Sequence, residues 1–296
     1  MRILKDKNNT IIKDVTDFDL AQTLECGQCF RFYKQDEEDY VVVAYNALLH
    51  IRQYGNDLIF LDKTEEEVRK LWIPYFDLER DYGEIKQFLL SKDKVLEPAI
   101  CEKYGVRILN QQFHEVLLSF IISQNKQIPH IKQIVKTISE RYGNYLGEIN
   151  GEKYYSFPDI SKLGEITEMN FREMKTGFRA PYLADAVNKL ISGEISEEMF
   201  KGALEEEVQK KLMEIKGVGE KVANCVMLFS LGWRQAFPID VWIKRIMETL
   251  YFEGKETTKE EIAVYAKKIF GEYGGYAQQY LFCFGRENKL GVSKKK

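Results

Sequence analysis

Short runs of alternating apolar and polar residues fill the first part of the chain. Beyond about Lys92 they give way to apolar residues spaced three and four apart. Cys29–Lys34 is an aromatic run, Tyr40–Tyr45 is rich in valine, and Leu48–Gln53 and Leu58–Leu61 follow. Polar turns at 35–39 and at Gly55, Asn56 and Asp57 separate them. Strand-forming residues between tight turns predict an antiparallel meander. Thr64 and Glu67 form a capping box that opens a helix carrying Val68, Leu71 and Trp72 and ending near Pro74. After Lys92 the pattern predicts helix almost throughout. Phe113–Gln124 is too apolar for a surface helix and reads as a buried one. Pro129 fits the first turn of the next, with Ile131, Ile134, Val135 and Ile138 on one face. Pro181 opens another, which ends at Gly193. Asp240 is placed to cap a helix bearing Val241, Ile243 and Met247. Thr257 and Thr258 offer overlapping capping boxes with Glu260 and Glu261, and a last helix carries Tyr276–Phe284. The expected fold class is α+β: an antiparallel sheet domain over residues 1–92, then a helical domain over 93–296.

Within the helical part, the stretch from Leu212 to Asp240 is the most organised. Val208 and Leu212 share one helix face, Gly217-Val218-Gly219 breaks that helix, and Lys221 opens a second one whose apolar side is Val222, Val226 and Phe229. This predicts a helix, a tight turn and a helix over 204–231. Turn amides and a helix start carry partial positive charge that suits a phosphate. Such a hairpin, at Gly217 and Gly219, would grip a nucleic-acid backbone without reading bases. Taken alone, the same pattern fits an ordinary αα-hairpin.

Composition narrows the partners. The 296 residues are 45% hydrophobic and 30% charged, with a net charge of −3. No global field draws nucleic acid, so affinity must come from a local basic face. Lys216, Lys221, Lys244 and Arg245 are candidates, as are Lys294–Lys296, which equally suit a solvated end. No apolar run reaches membrane-span length, and the amino terminus lacks a signal-peptide core, so an intracellular protein is expected. The five cysteines are scattered and odd in number, as expected of reduced thiols. Cys26 and Cys29 form a CxxC, but a strand follows it and no second ligand pair is spaced for zinc. No four-cysteine set for an iron–sulfur cluster is present in the sequence.

Two residues could carry chemistry. Lys221 sits one turn into a helix between apolar neighbours. An amine is a nucleophile only when unprotonated, a form that burial favours. Phosphate contact or simple solvation would use the same lysine. Asp240 reads as a helix cap, and a capping carboxylate is also rigidly held.

Leu-x-x-Ile-x-Gly-Val-Gly-x-Lys-Val-Ala, followed by Pro-Ile-Asp-Val seventeen residues after the lysine, resembles the helix-hairpin-helix DNA glycosylases. Within them it is similar to the 8-oxoguanine DNA glycosylases, from about Thr23 to Glu287. The resemblance implies two helical subdomains after the sheet, with the active site in the cleft between them. It implies that Lys221 attacks the sugar C1′ to form a Schiff base, that Asp240 assists base departure, and that β-elimination then nicks the strand. Gly27 matches the glycine whose carbonyl accepts N7–H of 8-oxoguanine. Gln278 matches the reader of the Watson–Crick edge, while Phe282 and Cys225 match the residues packed on the two faces of the base. Asn125 resembles the residue that fills the gap left by the flipped nucleotide. Arg179 resembles a reader of the orphan base, and Phe178 stands where an aromatic wedge enters the stack, or else is buried. The family acts on damaged double-stranded DNA as a monomer, in a prokaryotic cytoplasm and nucleoid or a eukaryotic nucleus, and needs no cofactor. Carbonyls of Met213, Ile215 and Val218 are implied as a site for a monovalent cation, potassium or sodium.

Two positions depart from the family. Trp242 replaces a histidine commonly found near the DNA. His130 replaces an arginine that reads cytosine, which predicts relaxed preference for the base opposite the lesion. Two other functions fit less of the sequence. Alkyl-base glycosylases usually lack the lysine at 221, and thymine-glycol enzymes usually carry iron–sulfur cysteines. A non-catalytic DNA-binding module would need only the hairpin.

Overall fold

The computed structural model describes residues 2–291; Lys294–Lys296 lie outside the described residues. Strands β1 (Arg2–Asp6), β2 (Asn9–Lys13), β3 (Phe32–Asp36), β4 (Asp39–Ala44), β5 (Ala47–Tyr54) and β6 (Asp57–Leu61) form one antiparallel sheet in the order β1-β2-β6-β5-β4-β3. β3 to β6 are the expected meander. β1 and β2 were not expected, because their apolar content is thin. β1 is an exposed edge strand that two lysines, counting turn residue Lys7, help to blunt.

β4 reads as a valine run because both of its faces are covered. Tyr40, Val42 and Ala44 enter a core with Ile12, Leu49, Ile51, Phe60 and Trp72. Val41 and Val43 face the other way and pack on Tyr154. Tyr154 belongs to β8 (Glu152–Tyr155), which pairs with β7 (Tyr145–Ile149). This hairpin is an exception to the nearly continuous helix expected beyond Lys92, which had no strand in it. Its turn residues Asn150 and Gly151 have φ of 52° and 82°, the backbone a two-residue hairpin needs.

The helices that matter below are α1 (Leu20–Glu25), α2 (Tyr82–Lys92), α3 (Phe113–Ser123), α4 (Ile128–Tyr142), α5 (Ala180–Ile191), α6 (Glu205–Met213), α7 (Glu220–Phe229), α8 (Val241–Tyr251), α9 (Lys259–Phe270) and α10 (Gly274–Glu287). The capping box of Thr64 and Glu67 forms as expected. Its helix continues past Pro74 to Tyr75, through a π turn at Val68–Trp72 that widens the coil just ahead of the proline. Of the two boxes at Thr257 and Thr258, only that of Thr258 with Glu261 forms. The Thr257 N–H goes instead to Glu248 at 2.9 Å.

Two apolar cores result, one under the sheet and a larger one among the helices, and the chain weaves between them. Cys26 and Phe30, from the amino-terminal part, and Tyr82, Ile85 and Leu89 of α2 lie in the helical core, while Leu109 lies in the sheet core. At the joint, the buried Arg31 guanidinium meets the Glu115 carboxylate with two bonds of 2.6 and 2.5 Å. That fork orients β3 against α3.

Candidate active site

A cavity of 420 Å³ opens between the amino-terminal loop, the α3–α4 turn, the hairpin and α10. Its size lies within the range of small-ligand sites, about 300–1,000 Å³. Lys221, Cys225, Asp240, Gly27, Gln278 and Phe282 all line it. Six residues spread over 256 positions of sequence are thus gathered at one place.

Gly27 follows α1 with φ of +93°, so a side chain there would be strained. A Cβ would also stand 3.0 Å from Arg286 Nη1 and 3.3 Å from Ile128. The next residue, Gln28, fixes this loop. Its buried amide donates to the carbonyls of Thr23 (2.9 Å) and Arg107 (2.7 Å) and accepts from Leu109 N–H (2.9 Å). Its own carbonyl takes a bond from Gln111 at 2.8 Å. Gln28 therefore works as a positioning residue, one that the sequence analysis did not single out. The two thiols of the CxxC enter different cores, Cys26 the helical one and Cys29 that of the sheet. Burial pushes the Cys29 thiol well up, the opposite of a reactive thiolate.

The hairpin forms as expected, from α6 and α7. Gly217 has φ of +76°, and a Cβ there would fall 2.2 Å from the Tyr182 ring of α5, so only glycine fits. Gly219 is extended, caps α7, and has open space where a Cβ would go. Its value is therefore close approach from outside rather than backbone freedom. One turn on, the half-buried Lys221 Nζ lies 3.3 Å from Ser123 Oγ and 4.9 Å from the centre of the Phe120 ring. Asp240 caps α8 through its Oδ1, which accepts Ile243 N–H at 2.8 Å. Lys221 and Asp240 share the cavity wall without a direct ion pair among the described residues. Burial pushes the Cys225 thiol up to about 11 despite the neighbouring Lys221 amine, so it faces the cavity as an apolar surface.

Gln278 Nε2 donates to the Pro238 carbonyl at 3.3 Å, tying α10 to the segment that carries Asp240. Its buried Oε1 has no protein partner. Phe282 and Trp242 form further wall, which gives Trp242 a place in the same cavity.

Around the rim, Asn125 takes φ of 50° in the turn between α3 and α4, a conformation asparagine tolerates. Phe178 is 54% exposed, edge-on to Tyr182. Burial, the alternative for Phe178, is thereby excluded. Arg179 departs from expectation. It is 3% exposed, and its guanidinium is held by the Gln124 carbonyl through two nitrogens and by the Thr176 carbonyl at 3.1 Å. In this arrangement it props the Asn125 turn instead of presenting donors to a base. His130 is exposed in the first turn of α4, beside a separate hollow lined by Lys126, Arg141 and Lys175. Lys244 is paired with Glu248 at 2.9 Å and Glu256 at 3.8 Å, which cancels the free charge expected of it for DNA contact. The Lys216 side chain is largely exposed, with Nζ 3.9 Å from the Asp185 carboxylate. At the cavity mouth, Lys259 joins Asn125, Lys221 and Asp240. Of the three carbonyls considered for a cation, that of Ile215 accepts the Val218 N–H at 3.0 Å.

A sheet domain joined to a helix-hairpin-helix body, with a lysine and an aspartate in the cleft, defines the class. Residues 118–272 match the family described as HhH-GPD superfamily base excision DNA repair protein, and residues 10–117 match the amino-terminal domain of 8-oxoguanine DNA glycosylase. The chain belongs to the HhH-GPD superfamily, in its 8-oxoguanine DNA glycosylase branch. Among relatives, the N-glycosylase/DNA lyase of Saccharomyces cerevisiae is 31% identical, over 89% of this chain and 82% of that one. A crystal structure of the Clostridium acetobutylicum 8-oxoguanine glycosylase/lyase, bound to double-stranded DNA with cytosine opposite 8-oxoguanine, superposes with a TM-score of 0.93. It is 41% identical and covers 98% of this chain and 99% of that one. The 3-methyladenine DNA glycosylase of Archaeoglobus fulgidus has the same fold at 20% identity, with a TM-score of 0.76 over 95% of this chain and 99% of that one. No helix among the described residues is long and apolar enough to cross a membrane.

Proposed function

We propose that this chain is a bifunctional DNA glycosylase and AP lyase that excises 8-oxoguanine from double-stranded DNA. One observation carries the proposal: the half-buried Lys221 amine shares a base-sized cavity with the Asp240 carboxylate and with a buried, unpartnered acceptor, Gln278 Oε1. The hairpin amides and Lys216 hold the backbone while the damaged nucleotide swings out of the duplex. The Gln278 acceptor takes N–H donors of the guanine Watson–Crick edge, and Phe282 and Cys225 cover the two faces of the ring. The Gly27 carbonyl accepts N7–H, a proton that guanine lacks. An unpaired buried acceptor costs about 1–3 kcal/mol, which disfavours the normal base.

The unprotonated Lys221 amine then attacks C1′, and the C1′–N9 bond breaks as the base leaves with the bonding pair. Asp240 stabilises the positive charge that develops on the sugar. The C1′–O4′ bond then breaks, its oxygen taking a proton, to give the Schiff base, and removal of a C2′ proton expels the 3′ phosphate. No redox cofactor enters these steps. Three backbone carbonyls, of Met213, Ile215 and Val218, are hard oxygen donors of the kind a monovalent cation takes, and would brace the hairpin. With such a substrate the enzyme works where cellular DNA lies, in a cytoplasm and nucleoid or in a nucleus, as a single chain.

The test is incision of duplexes bearing 8-oxoguanine, with and without borohydride. The native protein is expected to nick and to be trapped covalently. Lys221→Gln should bind DNA yet give no trapped product, and persistent trapping would remove Lys221 from its role. The same duplexes with each of the four bases opposite the lesion test a second point. His130 stands in place of an arginine, and the Arg179 guanidinium is spent on carbonyls, so rates should differ little among opposite bases. Strong exclusion of all but cytosine would refute that relaxed preference.

A further inference from the structure

Arg286 is a charged cavity-lining side chain for which the proposed chemistry above finds no use. It lies on the same face of α10 as Gln278 and Phe282, one turn beyond the latter. Nη2 donates to the Glu25 carbonyl at 3.2 Å, which anchors the guanidinium at the end of α1. The plane lies 5.2 Å from the centre of the Phe282 ring. Nη1 is buried and has no acceptor in the protein. It also sits directly beside Gly27, 3.0 Å from where a Cβ would be. A buried, charged donor without a partner is costly, so a site that keeps one suits a ligand that brings an acceptor.

Position selects the acceptor. Eight residues of helix separate Gln278 from Arg286, about 12 Å along the axis, with Phe282 midway. A purine stacked over Phe282, with its Watson–Crick edge at Gln278, turns its imidazole ring toward Arg286. Resting on the 8-oxoguanine activity proposed above, we infer that Arg286 is a specificity-determining residue whose Nη1–H donates to O8, the oxygen that oxidation adds to the imidazole ring. Gly27 and Arg286 then form a matched pair. The carbonyl accepts N7–H, and the guanidinium donates to O8 next to it. Guanine offers the reverse, a bare N7 facing the carbonyl and a C8–H with nothing for the arginine to bind. The arginine thus supplies attraction for the lesion, where the glycine carbonyl supplies mainly rejection of the normal base.

The test uses the full chain and three readouts. Native protein, Arg286→Leu and Arg286→Lys are compared in single-turnover excision of 8-oxoguanine and in cleavage of a duplex with a preformed abasic site, where no base occupies the cavity. Arg286→Leu should slow excision by about tenfold or more, the loss expected for a hydrogen bond from a charged donor. Abasic-site cleavage should stay within about twofold, since the same contact is absent there. Arg286→Lys, which keeps a donor, should recover part of the loss. In the Lys221→Gln background, which stops chemistry, Arg286→Leu should weaken binding to the 8-oxoguanine duplex more than to the guanine duplex. Unchanged excision overturns the assignment, as does an equal fall in excision and abasic-site cleavage, or an equal loss of binding to both duplexes. If Arg286→Leu does not fold, Arg286→Gln replaces it and is judged by the same outcomes. If the native protein leaves 8-oxoguanine in place yet cleaves abasic sites, the excision proposal itself has failed. If native excision is normal and Arg286 variants match it, only the present inference has.

Discussion

Two parts of this molecule bury charge in opposite ways. Where the amino-terminal segment meets α2, Lys86 is 3% exposed and fully engaged. It donates to Asp17 at 2.7 Å and to the Tyr104 carbonyl, and it lies over the Tyr104 ring. Arg107 beside it spends its guanidinium on the carbonyls of Thr16, Asp17, Asp77 and Arg80, at 2.6–3.0 Å. In the cleft, Lys221 has one hydroxyl at 3.3 Å, and Gln278 and Arg286 each keep a buried atom with no protein partner. Fully buried charges are closed in the first place, while half-buried charges and a buried amide are left open in the second. Closed charges hold two elements together, and removing one partner strands the other. Open ones cost stability and are worth keeping only where something from outside completes them.

The largest effect should come from the open side. Asparagine caps a helix as well as aspartate does. Asp240→Asn should therefore leave the melting temperature unchanged and lower single-turnover excision by about 10²- to 10⁴-fold, the range for a positioned catalytic carboxylate. A fall in melting temperature with little change in rate would assign Asp240 to the fold alone. The closed side should respond in reverse. Lys86→Met strands the Asp17 carboxylate and should cost about 3–5 kcal/mol in denaturant unfolding, while the folded fraction excises normally. Loss of activity without loss of stability would erase the contrast between the two regions.

The smallest effect is in acid. Burial alone would raise the Asp17 carboxyl, but its bonds from Lys86 and Tyr104 outweigh that and hold it below the usual carboxylate range. A carboxyl lowered in the folded state gives stability that is complete above its unfolded pKa, about 3.9, and is lost as pH falls below it. Unfolding measured from pH 6 down to pH 2 should show this loss, and Lys86→Met should flatten it. An equal slope in both proteins would mean that other carboxylates control the acid limb.

Much of the site was legible because its geometry is local. The glycine turn, the lysine after it and the capping Asp240 are fixed by spacing within one stretch. Features set by distant partners were not. The burial of Arg179 depends on the Gln124 carbonyl, 55 residues away. The neutralised charge of Lys244 depends on Glu256 as well as on its helix neighbour Glu248. Some signals were present and unread. Asn150-Gly151 between Tyr145–Ile149 and Glu152–Tyr155 marks a β-hairpin, but surrounding helical periodicity outweighed it. Gln278, Phe282 and Arg286 recur every four residues, but the resemblance marks only the first two. β1 and β2 left little trace, because their stability comes from pairing, β1 with β2 and β2 with β6, rather than from their own apolar content.

The Tyr182 ring has a mechanical consequence. One side of it fills the space that a side chain at residue 217 would need, and its edge-on neighbour, in the turn just before α5, is the exposed Phe178. Phe178 lies against the Arg179 guanidinium, which in turn clamps the bend holding Asn125. The hairpin turn, the protruding Phe178 ring and the Asn125 bend are thereby linked in one series of contacts. On the function proposed above, force taken up at the hairpin turn passes, through one tyrosine, to the bend that carries Asn125.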